Sequence, residues 1–237
     1  MKILSMECSA TPASVAIIED GKLLASSFVN VKLTHSQTLM PMVESILSAS
    51  KLTIADIDGL AISNGPGSFT GVRIGISALK GIAAPKNLPC VAVSTLRAMT
   101  ENYSDTDCIV CAVMDARCNQ VYNALFEIEN NQIKRLCEDR ALLCYELAEE
   151  VKNISQNSEK CVIIIGDGAE IFHPFVKECQ NIKISAPIRR FQSATGVGIA
   201  ALESFNKGET IEPSALLPFY LRLPQAEREL KAKEEKK

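Results

Sequence analysis

One order of elements, three strands followed by alternating helices and strands, runs through this chain twice, and it restricts the fold more than any single motif does. In the first pass, segments 2–7, 14–19 and 22–31 read as strands, the last two joined by Asp20-Gly21, a strong hairpin signal. Leu39, Val43, Ile46 and Leu47 then recur at three- and four-residue spacing, so 36–50 reads as a helix that tolerates Pro41 near its start. A strand at 57–63, a glycine-rich loop, a helix at 72–84, a strand at 89–94 and a short helix at 95–103 complete that pass. The second opens with strands at 108–114, 121–126 and 133–138. It continues with helices at 143–151, 169–178 and 194–205 around a strand at 160–165. The repetition lies in the order of elements and not in residue identity, so it is a weak internal repeat. It predicts an α/β chain of two related units, divided at 1–104 and 105–222, with a charged, frayed tail at 223–237.

Composition removes several classes of function. With 47% hydrophobic and 22% charged residues, the 237-residue chain is ordinary globular material. Its 25 basic and 28 acidic residues leave a net charge of -3, which gives no general attraction for a phosphate backbone, so a nucleic-acid role needs a partner. The longest apolar run, 108–114, is too short to span a bilayer, and Glu7 interrupts the start before an export signal can form. A soluble cytoplasmic protein is expected. Nine scattered cysteines fit a reducing compartment in which Cys serves as a small buried hydrophobe. Cys108 and Cys111 form a CxxC, but three residues apart on a strand their thiols face opposite ways.

The loop Asn64-Gly65-Pro66-Gly67-Ser68-Phe69-Thr70-Gly71 leads straight into a helix, and free N–H groups at such a start can hold an anion. It is neither a dinucleotide fingerprint nor a Walker loop, since Val72 stands where that motif needs Lys. The competing reading is structural: Gly65 and Gly67 supply positive φ, Ser68 or Thr70 caps the helix, and Gly71 permits close packing. The helix that follows is apolar nearly all round, with Arg73 and Lys80 its main polar residues, and it needs cover on more than one side. Met40 and Met42 enlarge the apolar surface of the preceding helix. Another protein and the chain's own fold are both open as that cover. His35 and His173 stand alone, in no metal-binding spacing, and Ser36 is a candidate helix cap. Asp115, Arg117 and Tyr122 read either as a polar cluster or as a turn stabiliser beside a packed ring, and Gly166-Asp167-Gly168 as a turn suited to a nucleotide edge.

The run Ser63-Asn64-Gly65-Pro66-Gly67-Ser68-Phe69-Thr70-Gly71-Val72-Arg73-Ile74-Gly75 closely resembles the signature of the bacterial TsaB (YeaZ) family. His35-Ser36 with Leu39 and Pro41, Val93-Ser94-Thr95-Leu96, Asp115-Ala116-Arg117 with Val121-Tyr122, and Tyr220-Leu221-Arg222 match in order. The resemblance implies an actin-like, Hsp70/sugar-kinase (ASKHA) fold: two related lobes with mixed sheets and flanking helices. It further implies a non-catalytic subunit in tRNA threonylcarbamoyladenosine synthesis, paired with TsaD. That paralogue carries the metal-binding histidines and transfers the threonylcarbamoyl group to the adenosine beside the anticodon; TsaE, an ATPase, joins the assembly, and TsaC makes the donor. No cofactor, metal or catalytic residue is expected here, and tRNA is reached through the complex. The family's use of the first two helices places the partner surface at Met40, Val43, Leu47, Arg73, Ile76 and Lys80, with homodimer formation through the same surface when the partner is absent. Glu7-Cys8-Ser9 departs from the family's usual Asp-Thr followed by a small residue, which lengthens the carboxylate and removes a hydroxyl. The alternative is a stand-alone enzyme, kinase-like or glycopeptidase-like, against which the missing metal ligands and Walker lysine count.

Overall fold

The computed structural model describes residues 1–222. Strands β1 (Lys2–Glu7), β2 (Ala13–Glu19) and β3 (Lys22–Val29) form an antiparallel meander, and β2 and β3 turn through Asp20 and Gly21, both at positive φ, as the hairpin pair demands. Helix α1 (His35–Ala49) leads to β4 (Gly59–Gly65), α2 (Phe69–Ala83) to β5 (Cys90–Ser94), and the short α3 (Thr95–Thr100) follows. Strands β4 and β5 extend the meander in parallel, giving the order β3-β2-β1-β4-β5.

The second sheet repeats the plan. Strands β6 (Cys108–Arg117), β7 (Gln120–Glu129) and β8 (Gln132–Arg135) form its meander, and β9 (Arg140–Leu143) also pairs with β7. After α4 (Cys144–Asn157) come β10 (Val162–Ile165), the single-turn α5 (Ala169–Phe172), β11 (Ile182–Ile184), α6 (Pro187–Arg190) and α7 (Ala194–Lys207). The order β11-β10-β6-β7-β8 mirrors the first sheet. Pro174 explains why the expected helix at 169–178 is short: it has no N–H to donate to the carbonyl of Glu170 and its ring crowds that carbonyl, so a 3₁₀ turn, His173–Phe175, replaces the helix. Strands β9 and β11 are too short to show a period and were not expected.

The closing helices exchange places, which corrects the division at 104/105. Leu96 and Met99 of α3 pack among Val110, Ala112 and Phe126 of the second sheet. Val197, Ala201 and Phe205 of α7 pack against Ile3, Ala61 and Val91 of the first. At the start of α7, the Ser5 hydroxyl donates to Ala194 O at 2.7 Å and Ala194 N donates to Ser14 Oγ at 2.7 Å. Helix α7 therefore belongs to the first lobe in space, although the second supplies it in sequence. Cys108 and Cys111 lie in separate cores on the two faces of β6. Among the described residues no helix is long and apolar enough to cross a membrane; the charged tail expected at 223–237 lies outside them.

Candidate docking face and interlobe cleft

Both helices of the predicted partner surface lie on one face of the first sheet, and their apolar stripes fill one core. Leu39, Met42, Val43, Ile46 and Leu47 of α1 meet Val72, Ile76 and Leu79 of α2 over Leu4, Met6 and Ile62. This corrects three of the expected contact residues: Val43, Leu47 and Ile76 are 2, 9 and 4% exposed and are spent inside the lobe, because they belong to the inward stripe that makes each helix amphipathic. What α1 presents outward is Met40, 39% exposed, with Glu44 and Ser48; α2 presents Arg73 and Ser77, and Lys80 is half-buried. Ser36 lies within α1 rather than capping it: Thr34 is the N-cap residue, and its hydroxyl accepts from Ser36 Oγ at 3.3 Å and from no helix backbone N–H.

The second side of α2 is covered by the chain itself. Beyond α7, residues 211–222 return across the first lobe, starting with a two-hydrogen-bond bridge between Ile211 and Cys90. Lys80 donates to Ser214 O at 3.1 Å, and Leu216 is buried in the core beneath α2. Phe219 N donates to Asn64 O at 2.7 Å, Tyr220 stacks on Phe69 at 4.4 Å, and Arg73 Nε donates to Tyr220 Oη at 2.7 Å. This is the cover that periodicity required but left unassigned.

The glycine loop is packed, not open. Ser68 N donates to Ser9 O at 2.6 Å, and a Cβ on Gly67 would lie 2.4 Å from that same oxygen; one on Gly71 would lie 2.1 Å from Cys8 O. Gly65 alone of the three has positive φ, +129°, so Gly67 is required for close approach and not for its backbone angle. Ser68 is the cap, accepting from Gly71 N at 3.3 Å, while Thr70 is exposed.

Between the lobes lies a cleft of about 390 Å³, walled by Ser9, Gly67 and Ser68 on one side and by Asp115, Arg117 and Asp167 on the other. Asp115 does stabilise the β6–β7 turn, accepting from Arg117 N at 2.7 Å and pairing with its guanidinium at 3.1 Å, and Tyr122 is buried beside it. Burial pushes the Asp167 carboxyl up to about 6; the Gln192 amide, 2.8 Å away, pulls it back, and the charges of Asp115 and Glu7 add to the rise. Glu7 is fully buried, with Oε1 accepting from Ser9 N at 2.6 Å and Oε2 unpaired. Burial raises its carboxyl, and the neighbouring Ser63 and Ser9 hydroxyls oppose the rise. Cys8 donates to Gly71 O at 3.2 Å and is likewise buried. The two substituted positions thus serve the packing of the loop and do not line the cleft. Among the described residues no group of three or more His, Cys, Asp or Glu is placed to hold a metal ion.

Two mixed sheets of matching strand order, with closing helices exchanged around a central cleft, define a two-lobed actin-like, sugar-kinase-type protein. The family model described as "TsaD: tRNA N6-adenosine threonylcarbamoyltransferase" matches residues 29–230. The tRNA threonylcarbamoyladenosine biosynthesis protein TsaB of Escherichia coli is 33% identical over 236 residues, 99% of this chain and 100% of that protein. The TsaB of Bacillus subtilis is 26% identical over 229 residues, 96% of each chain. The solved structure of YeaZ from Pseudomonas aeruginosa is similar with a TM-score of 0.80 at 25% identity, covering 93% of this chain and 99% of that one. The chain belongs to the TsaB (YeaZ) family, within the wider group that the threonylcarbamoyltransferase model describes.

Proposed function

We propose that this chain is the non-catalytic scaffold subunit of a complex that makes threonylcarbamoyladenosine beside the tRNA anticodon. It seats a TsaD-like catalytic paralogue on the outer side of α1 and α2, around Met40, Arg73 and Lys80. A TsaE-like ATPase joins the assembly, and tRNA is held through the complex. The names of the relatives support the pathway. The observation that carries the scaffold reading is the hydrogen bond from Ser68 N to Ser9 O: the glycine loop spends its leading N–H on its own chain, and Gly67 sits too close to Ser9 for anything to enter between them. A loop closed in this way shapes the entry to α2 and does not cradle a phosphate.

The test is calorimetric titration of the purified chain with Mg-ATP, beside co-purification of the TsaD-like paralogue from native lysate. Capture of the paralogue without saturable micromolar nucleotide binding is expected. Saturable binding abolished by Gly67→Val would replace this reading with the kinase-like alternative.

A further inference from the structure

We propose that residues 211–222 are a latch coupling the outer side of α2 to the separation of the two lobes. The segment has three anchors. The first fixes it to the first lobe, through the Ile211–Cys90 bridge and the burial of Leu216. The second joins it to α2: Tyr220 is held between the Phe69 ring and the Arg73 guanidinium, whose centre lies 5.5 Å over the tyrosine ring. The third reaches the second lobe. Leu221 packs with the cluster containing Met114, Ala116 and Tyr122, and Arg222 Nη1 donates to Ala116 O.

Ala116 lines the cleft and lies at the end of β6, so parting the lobes must pull Leu221 and Arg222 off their seats or drag Tyr220 from α2. The coupling needs no long chain of side chains, because the residue bound to α2 and those bound to the second lobe are consecutive in sequence. The exposed side of the latch, with Leu217 67% exposed and Phe219 44%, continues the surface of α2, so a partner seated there touches the latch as well. That consequence rests on the docking reading above; the latch does not.

Hydrogen exchange of the isolated chain tests it, read at the amides of 115–119 in the β6–β7 turn. Arg222→Ala breaks the far anchor and is expected to speed exchange there about threefold to tenfold, the factor carried by one net hydrogen bond. The decisive variants are Arg73→Ala and Tyr220→Phe, which touch only the α2 anchor; the second keeps the ring and loses the hydroxyl. Both are expected to speed the same segment about threefold, while Met40→Ala leaves it unchanged. Acceleration by Arg222→Ala alone, or by none of the three, overturns the latch. Failure to capture the paralogue would count against the docking reading and not against this one.

Discussion

Ser68 and Ser9 are joined through their backbones, N–H to carbonyl at 2.6 Å, which makes the glycine loop and the first hairpin region one packed unit. The consequence for Gly67 is direct. A methyl group there would sit 2.4 Å from Ser9 O, so Gly67→Ala is expected to cost about 1–3 kcal/mol through overpacking. Gly81, inside α2, has nothing within 4 Å of such a carbon, and Gly81→Ala should stabilise by about 0.5–1 kcal/mol. Opposite shifts of the two denaturation midpoints check the assignment; equal shifts contradict it.

The proposed docking face is probed properly only at outward positions. Leu47→Asp and Ile76→Asp put a charge in the core of the first lobe and should unfold it, as unpaired buried carboxylates do. Met40→Asp changes an exposed side chain and should leave the melting curve unchanged while weakening paralogue capture at least about tenfold, the loss expected at a buried interface centre. Undiminished capture by Met40→Asp and Arg73→Glu together would move the partner elsewhere.

Acid sensitivity follows from the cleft carboxylate. Asp167 has a folded pKa of about 6 against 3.8 for the unstructured group, so between those values the folded chain binds more protons than the unfolded one. Its contribution to stability is greatest below pH 4, falls as pH rises toward 6, and is a constant penalty above. Glu7, raised by burial, acts in the same direction. Asp167→Asn should gain stability over the wild type at pH 7 and lose that advantage near pH 4, measured as the difference between their unfolding midpoints. A difference independent of pH contradicts this.

A net charge of -3 predicts that the isolated chain binds tRNA no better than the non-specific range of about 10⁻⁴ to 10⁻⁶ M at physiological salt. Gel-shift titration over a range of salt checks this, and tight, salt-resistant binding would assign the chain a direct tRNA contact.

Much of the fold was legible because β1 to β7 and the long helices carry clean periods and turn pairs such as Asp20-Gly21. The division of the chain in space was not. Nothing in the local pattern of 194–205 says which sheet it covers; that is decided by Ser5 and Ser14, some 180 residues away, which bind the start of α7. Helices α1 and α2 show the same boundary. Periodicity finds both but leaves the cover of α2 open between another protein and the chain's own fold, because part of it comes from residues 211–222, a segment without period that is held by Asn64, Arg73 and Lys80. The role of Gly67 was partly legible: the motif marks a special position, whereas close approach to Ser9 appears only once β1 and β4 are side by side.

In the proposed function this chain supports threonylcarbamoylation of tRNA without performing it. Its most direct test is mass spectrometry of nucleosides from digested tRNA of a strain depleted of the protein and then supplied with the wild type, Met40→Asp or Asp167→Asn. Threonylcarbamoyladenosine is expected to fall on depletion and to return with the wild type and Asp167→Asn but not with Met40→Asp. Unchanged modified nucleoside on depletion, or full recovery with Met40→Asp, would contradict it.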